Sequence, residues 1–374
     1  MQIGAELPEM HNTSRELHNA YDNVVKVRFV EIKYMEYLFN DVLEIKNGKN
    51  QKLVENPEGL YPIYGSGGII GYADKYICEA NTVIIGRKGS INNPIYVSEP
   101  FWNVDTAFGL SPKQDILLPR YLFYFCKNYN FEKLNKTVTI PSLTKADLLK
   151  IQIDLPSIDE QRRIVDKLIK VETIINLRNY QVQQLDDLIK ARFVEMFGDA
   201  YSNPRGLPVL EWNDVFNTTT GKLDSNAATE NGAYPFFTCS KEALRIDKYA
   251  FDQEALLLAG NNAAGKYDVK HYNGRFNAYQ RTYVLSLKQE WSYALFKYQL
   301  EDKLVYLQQQ SLGGLTKYLT MKILGDLTFL LPSMDEQKQF EDFVAQIDKS
   351  KATVQKALDE TQLLFDSLMQ KYFG

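Results

Sequence analysis

The heptapeptide LPSIDEQ at Leu155–Gln161 recurs as LPSMDEQ at Leu331–Gln337, displaced by 331 − 155 = 176 positions. The first copy opens a segment, 157–197, that lacks proline and glycine and carries apolar residues at alternating steps of four and three. This spacing is typical of a coiled-coil heptad, and adding 176 gives the same register in the second copy. A helix this long needs a partner for its apolar seam, so we expect the copies to pair as an antiparallel coiled coil. The first seam comprises Ile164, Leu168, Val171, Ile175, Val182, Leu185, Ile189 and Met196, interrupted by Arg178.

The repeated motif itself predicts a helix start. In each copy a serine precedes a glutamate by three positions, which is the pattern of a capping box. Asp159 and Asp335 add negative charge where a helix dipole is positive. We therefore interpret the acids as helix-starting rather than catalytic residues, and expect the first helix to run from Asp159 to Phe197. The serine and glutamate pairs are Ser157 with Glu160 and Ser333 with Glu336.

The repeat extends upstream of the heptapeptide and divides the chain into two halves. NDVLEIKNGK (40–49) matches NDVFNTTTGK (213–222), and YPIYGS (61–66) matches YPFFTC (234–239). Short runs rich in Tyr, Phe, Ile and Val, separated by Gly, Asn and Pro, indicate an α+β domain in each half. We predict two tandem α+β domains separated by the two long helices. The predicted boundaries are an N-terminal segment 1–28, a first domain 29–156, a central helix segment 157–200, a second domain 201–332 and a distal helix 333–374.

Composition limits the classes of function. A chain of 374 residues suits two domains of ordinary size, and three scattered histidines and three cysteines match neither a zinc site nor a disulfide framework. No run of 18 apolar residues and no signal peptide is visible, so we expect a cytoplasmic protein without a membrane partner. The net charge of −4 gives no bulk attraction for nucleic acid, although a local basic face remains compatible with it.

Three near-motifs point towards enzymes, and each is incomplete. GNNAAGK at Gly260–Lys266 fits the Walker A spacing, but Tyr267 replaces the Ser or Thr that would hold magnesium. NPIY at Asn93–Tyr96 resembles a methyltransferase motif without a glycine-rich cofactor loop, and we interpret it as a loop. The E-x-K tripeptides at 31–33 and 44–46 lack a suitably placed acid upstream. We expect no catalytic residue and no metal site in this chain.

The tandem order of domain, LPSIDEQ helix, domain and LPSMDEQ helix resembles the specificity (S) subunits of type I restriction-modification systems. The resemblance covers about residues 29 to 374, and the loops YPIYGSGGIIGY and VIIGRKGSINNPIYVSEPFWNVDTAFGL resemble that family's target-recognition pattern. It implies that each domain reads half of a split site in double-stranded DNA. It also implies that the helices set the spacing of the half-sites, about one duplex turn, and bind two methyltransferase (M) subunits. Endonuclease and translocase (R) subunits would join through the M subunits, with S-adenosylmethionine, ATP and magnesium bound by these partners rather than by this chain.

Several loops carry residue types suited to DNA. Arg, Asn and Gln can pair with base edges, Lys can hold phosphates, and glycine allows a close backbone approach. Lys303–Lys322 is a further lysine-containing segment without acids. The predicted DNA-binding residues are Ser66, Gly67, Arg87, Lys88, Ser90, Asn92, Asn261, Asn262, Lys266, Tyr267, Arg275, Arg281 and Lys317.

Two other interpretations stay open from the residues. The chain could be a coiled-coil adaptor whose domains bind proteins, or the specificity subunit of a related system that cleaves on both sides of its site. A stand-alone nuclease or methyltransferase with a degenerate site is a further alternative. The base sequence recognised does not follow from the loops, because no residue-to-base code holds outside a known docking geometry.

Overall fold

A computed structural model describes residues 33–135, 141–263 and 265–374, so the predicted N-terminal segment 1–28 lies outside the described residues. The chain divides into two compact units. One comprises the residues up to Ile174 together with Thr361–Gly374, and the other is Ile175–Glu360. Both long helices therefore contribute to both units, and each unit contains one of the two α+β regions.

The described residues of the first unit form three sheets. β1 (Met35–Leu38) pairs with β9 (Gln152–Leu155), which brings the two ends of the α+β region together. The four-stranded sheet has the order β2-β8-β5-β6, and the three-stranded sheet has the order β4-β3-β7. The strands are β2 (Leu43–Asn47), β3 (Tyr61–Gly65), β4 (Gly68–Ala73), β5 (Thr82–Gly86), β6 (Ile95–Val97), β7 (Trp102–Asn103) and β8 (Ala107–Pro112).

An aromatic helix joins this region to the long helices within the first unit. The hydroxyl of Tyr124 donates to Glu172 over 2.6 Å, and Lys127 pairs with the same carboxylate at 2.9 Å. Lys127 also lies 4.9 Å from the ring centre of Phe365. The helices are α1 (Phe39–Val42), α2 (Pro119–Asn128), α3 (Lys145–Leu148), the long α4 (Ile158–Phe197) and the end of α9 (Met334–Phe373).

The second unit repeats the plan with a larger sheet. β10 (Val209–Glu211) pairs with β19 (Thr328–Leu330), as β1 pairs with β9. Six strands follow the order β11-β17-β14-β16-β12-β13, and β15 (Asn261–Asn262) pairs with β18 (Lys317–Tyr318). The six strands are β11 (Phe216–Thr220), β12 (Tyr234–Phe237), β13 (Leu244–Ile246), β14 (Phe251–Ala259), β16 (Val269–Ala278) and β17 (Thr282–Leu287), and the short helices are α5 (Trp212–Val215), α6 (Tyr293–Asp302), α7 (Leu304–Gln310) and α8 (Met321–Gly325).

The sequence anchors occupy equivalent places in the two units. FNDV and WNDV form the matching one-turn helices α1 and α5. YPIYG and YPFF form β3 and β12, and each of these pairs in parallel with a later strand, β7 and β16 respectively. The predicted α+β class and tandem duplication are confirmed.

The antiparallel coiled coil is visible within the second unit. Arg178 donates to the carbonyl of Ala357, Asp186 pairs with Lys351, and the ring of Phe193 lies 5.8 Å from that of Phe340. Residues progressively further along α4 contact residues progressively earlier in α9, so the two helices run antiparallel. The predicted seam positions of α9 are buried or half-buried throughout, which confirms its register.

The heptapeptide begins each long helix as predicted. The Ser157 and Ser333 hydroxyls accept from the amides of Glu160 and Glu336, at 3.3 and 3.4 Å. In the second copy a return bond from the Ser333 amide to the Glu336 carboxylate, at 3.0 Å, completes the capping box. No helix in the described part of the chain is long and apolar enough to cross a membrane.

Candidate nucleic-acid interface

In the first unit, two exposed loops lie against each other at one end of the sheets. Ser66 and Gly67 form the turn between β3 and β4, and residues 87–90 follow β5. A Cβ on Gly86 would lie 3.2 Å from the Ser66 Cβ and 2.4 Å from the Ser90 carbonyl oxygen. This close approach requires glycine, and it brings Ser66, Gly67 and the basic loop into one cluster.

The basic loop has a fixed backbone and exposed side chains. The Arg87 amide donates to the Thr106 carbonyl over 2.7 Å, and the Leu143 amide donates to the Arg87 carbonyl over 2.9 Å. The side chains of Arg87, Lys88 and Ser90 lie at the surface. A fixed backbone lowers the entropy lost when such a loop binds a ligand. Arg87 and Lys88 thus present cationic groups to solvent from a fixed backbone.

Asn92 stands apart from this cluster because its carboxamide holds the fold together. Its Oδ1 accepts from the Phe131 amide over 2.8 Å, and its Nδ2 donates to the side chain of Asn130 over 3.4 Å. Asn92 is exposed, so its contact with DNA stays a prediction, and its carboxamide also has a positioning role. The sequence offered no signal for this, because the bonded partner lies 39 positions away.

In the second unit, β15 and β18 gather most of the predicted residues. The register places Asn261 opposite Tyr318 and Asn262 opposite Lys317. Gly260 donates to the Arg281 carbonyl and accepts from the Leu319 amide, each over 2.8 Å. Lys266 is exposed, and its amide donates to the Asn262 side chain over 3.3 Å. The cluster thus comprises Asn261, Asn262, Lys266, Arg281 and Lys317.

Two predicted residues do not belong to this cluster. Tyr267 is 7% exposed and packs in the core with Leu256 and Leu285, so its ring is not available to stack on a base. Arg275 lies on β16 opposite Asp252, to which its Nε donates over 2.9 Å, near the far end of the β14–β16 ladder. Burial argues against a DNA contact by Tyr267, whereas a DNA contact by Arg275, whose side chain is exposed, stays a prediction. One side chain is buried, and the other already has an ionic partner.

The segment Lys303–Lys322 is likewise divided by burial. Lys303 is 6% exposed and lies over the rings of Tyr201 and Phe329, and burial lowers the pKa of its ammonium group. It stabilises the fold and does not face solvent. Lys317, by contrast, is half-buried beside Gly265, whose Cβ would lie 3.4 Å from the Lys317 Cγ.

The enzyme-like motifs do not build enzyme sites. After GNNAAGK the chain enters β16 rather than a helix, and the Gly265 and Lys266 amides bond to Asn262 instead of projecting towards a phosphate. Tyr96 of NPIY sits on an edge strand with its ring 3.9 Å from the Arg120 guanidinium. Across residues 33–135, 141–263 and 265–374, no group of three His, Cys, Asp or Glu side chains is arranged to hold a metal ion.

Both clusters can recognise an anionic, hydrogen-bonding ligand. Each presents at least two cationic side chains beside amide or hydroxyl groups, and residues 86–98 and 259–267 contain no Asp or Glu. Such a combination holds phosphates and reads base edges. The chemistry differs between the clusters, since the first offers serine and the second asparagine beside the cations.

Comparison with known proteins points to one family. The model of the type I restriction modification DNA specificity domain matches residues 31–186 and 204–361. The type I restriction enzyme EcoDI specificity subunit of Escherichia coli is 36% identical over 154 residues, which cover 39% of this chain and 33% of that protein. The EcoprrI specificity subunit of Escherichia coli is 22% identical over 169 residues, covering 43% of this chain and 42% of the relative. These alignments thus span well under half of each relative.

A solved structure shares the fold. The type I restriction-modification system S subunit from M. genitalium superposes with a TM-score of 0.64 at 18% identity, covering 93% of this chain and 98% of that one. At this identity the likeness concerns the fold alone. It agrees with the tandem α+β plan described above.

Proposed function

Because the chain belongs to the type I restriction-modification DNA specificity domain family, we propose that it reads an asymmetric, bipartite site in double-stranded DNA. Each unit would read one half-site through its loop cluster. The observation that carries this proposal is the presence of two copies of one fold whose exposed loop clusters differ in chemistry. Two different reading surfaces should select two different half-sites.

In the first half-site, Arg87 and Lys88 would contact phosphates or guanine edges, with Ser66, Gly67 and Ser90 beside them. In the second half-site, Asn261 and Asn262 offer the amide chemistry that suits adenine, and Lys266, Arg281 and Lys317 supply positive charge. Backbone hydrogen bonds to neighbouring segments hold both loops, at Arg87 in the first unit and at Gly260 in the second. Direct readout by loops fixed on a rigid sheet requires no catalytic group in this chain.

We further propose that the long helices carry methyltransferase subunits. In the second unit, Leu177, Tyr180 and Leu188 of α4 are exposed and lie off the coiled-coil seam. Their spacing of i, i+3 and i+11 places them on one helix face, and apolar groups exposed together favour a protein-binding surface. Two methyltransferase subunits would bind here, and endonuclease and translocase subunits would join through them. S-adenosylmethionine, ATP and magnesium would then be held by these partners.

The near-neutral charge of the domains supports a weak affinity of the isolated chain for DNA. Residues 29–155 contain 14 Lys and Arg against 14 Asp and Glu, and residues 207–332 contain 13 against 13. Non-specific affinity comes from cationic contacts with phosphates, so a balanced domain gains little of it. We therefore propose that the methyltransferase subunits supply the remaining contacts with the DNA. Tight, sequence-specific binding by the isolated chain would contradict this step.

The experiment is to co-express the chain with the methyltransferase encoded beside it and to map adenine methylation across host DNA. We expect a split, asymmetric motif that disappears when this chain is deleted. Unchanged methylation after deletion would reject the proposal. A protein-binding adaptor would likewise leave the methylated sequence unaltered, whereas a related system cleaving on both sides of its site would keep the motif and differ in its cleavage products.

A further inference from the structure

The most exposed leucine of the second unit stands at the tip of a closed loop. Leu315 is 94% exposed. The Leu312 amide donates to the Tyr318 carbonyl over 3.0 Å, and the Tyr318 amide donates back over 2.8 Å, which closes the loop between them. A single exposed leucine is common on protein surfaces, so what Leu315 can contact depends on the groups around it.

The loop is narrow and its shape is fixed by glycine. Gly313 has a φ of +102°, and a Cβ there would lie 2.2 Å from the Thr316 carbonyl oxygen. Gly314 has no neighbour within 4 Å of its Cβ position. The two glycines add no side chains beside Leu315, so the leucine can enter a space that a broader loop could not.

The surroundings of the loop indicate the partner. The loop leads directly into β18, which pairs with the Asn261–Asn262 strand, and Leu315 lies two residues from Lys317. Two extended residues span about 7 Å. The segment Lys303–Lys322 contains no Asp or Glu. The floor of a DNA groove complements this surface. Its bases can accept the apolar tip and the amide groups, and the phosphates at its edges can pair with the cationic groups.

Resting on the proposed function, we infer that Leu315 packs against the 5-methyl group of a thymine in the half-site read by the second unit. Asparagine pairs with adenine in the major groove, and the thymine of the same base pair presents its methyl group on that side. Asn261 and Leu315 would thus recognise the two bases of A·T pairs by different chemistry. The leucine contributes apolar contact and needs no hydrogen bond.

The test uses the full chain assembled with its methyltransferase subunits and a duplex carrying the mapped motif. Each thymine of the half-site is replaced in turn by deoxyuridine, which removes only the methyl group. Burial of one such group corresponds to about a fourfold change in affinity. We expect one replacement to weaken binding of the unsubstituted protein by about that factor. Leu315→Ala should bind the thymine duplex more weakly and should not distinguish uracil from thymine.

Two variants serve as matched controls. Leu315→Met keeps an apolar tip and should retain the discrimination against uracil. Leu53→Ala removes a leucine of the first unit that is 99% exposed and should retain it as well. The inference is overturned if no single replacement changes the affinity, if Leu315→Ala keeps the discrimination, or if the half-site contains only G·C pairs. Loss of methyltransferase subunits from Leu315→Ala on gel filtration would identify a protein contact and overturn it too.

Failure of this inference differs from failure of the proposed function. One outcome is that deletion of the chain abolishes the methylated motif while no deoxyuridine replacement changes the affinity. In that case the chain still reads DNA, but Leu315 does not contact a thymine methyl group. If deletion leaves methylation unchanged, the proposed function itself fails.

Discussion

The side-chain oxygen of Gln337 accepts a hydrogen bond from the backbone amide of Ser292 over 3.0 Å. The amide nitrogen of Gln337 donates to the Pro332 carbonyl over 3.0 Å, and the side chain is buried. Ser292 caps α6, so this glutamine joins the start of α9 to the start of α6. Gln161 repeats the arrangement with Leu118, the residue before α2, at 2.9 Å.

Replacing either glutamine should destabilise its own unit. Gln161→Ala and Gln337→Ala leave buried backbone groups without a partner, which costs about 1–3 kcal/mol for each unpaired group. We expect a lower midpoint of thermal unfolding for both variants. Gln339→Ala, two residues further along the same helix at an exposed position, is the control and should unfold like the unsubstituted protein. Equal midpoints for Gln337→Ala and Gln339→Ala would contradict this account.

The hydrogen bonds of the two glutamines could not be predicted from local sequence patterns. The heptad spacing predicted both long helices and their antiparallel pairing, because side-chain periodicity follows from helix geometry. The Ser-x-x-Glu pattern predicted the helix starts for the same local reason. The local pattern assigns the glutamine in LPSIDEQ only to a helix start, because two of its backbone partners lie 43 and 45 positions away and only the folded chain brings them close.

The glutamate of the second helix start pairs with an arginine outside its own helix, unlike that of the first. The Arg205 guanidinium lies 2.8 Å from the Glu336 carboxylate, and hydrogen bonds from Arg205 and Ser333 lower the pKa of Glu336 below its ordinary value of 4.5. A lowered folded-state pKa stabilises the protein above the unfolded-state value, and this stabilisation is lost as the pH falls through the folded-state value. The effect therefore belongs to the acid range below pH 4.5.

Glu336→Gln should cost about 0.5–1 kcal/mol at pH 7, because the ion pair is partly exposed and the cap bond is weakened. We expect the difference in thermal midpoint from the unsubstituted protein to shrink as the pH drops below 4.5. Glu160→Gln is the matched control from the other copy, where the carboxylate pairs with Arg163 on its own helix at 3.1 Å. A difference in thermal midpoint that stays constant down to pH 2 would show that the Glu336 charge does not stabilise the protein.

The DNA cluster of the second unit can be tested by salt dependence. Lys266→Ala should weaken DNA binding of the assembled complex and lower the slope of log affinity against log salt by about 0.9, the value for one lost phosphate contact. Arg275→Ala is the control, because its guanidinium is already paired with Asp252. Fluorescence anisotropy at several salt concentrations gives both slopes. An equal loss of slope in the two variants would place the interface elsewhere on the sheet.

Burial of Tyr267 gives a prediction opposite to that of a base-stacking residue. Tyr267→Ala should destabilise the protein by about 3–5 kcal/mol, the range for removing a buried aromatic ring. Tyr267→Phe keeps the ring in the core and should change stability by about 1 kcal/mol or less. Thermal unfolding of both variants checks this. Unchanged stability of Tyr267→Ala together with weakened DNA binding would show instead that Tyr267 contacts DNA.

Tyr267 and Arg275 explain why the site was only partly predictable. Glycine and lysine runs identified the loops, because these residue types favour turns and solvent. Whether a residue at the end of a loop turns inwards or outwards depends on strand register, and Tyr267 enters the core just before β16 begins. The partner of Arg275 is set by the cross-strand pairing of β14 with β16, which sequence spacing does not reveal.

The most direct measurement is the map of methylated adenines produced with an Asn261→Ala, Arg281→Ala double variant. The account predicts that one half of the bipartite motif changes or relaxes while the other half stays as in the unsubstituted protein. Asp335→Ala, which alters a helix start, should leave both halves unchanged. A variant map with both halves altered, or with neither, would contradict the claim that each unit reads its own half-site.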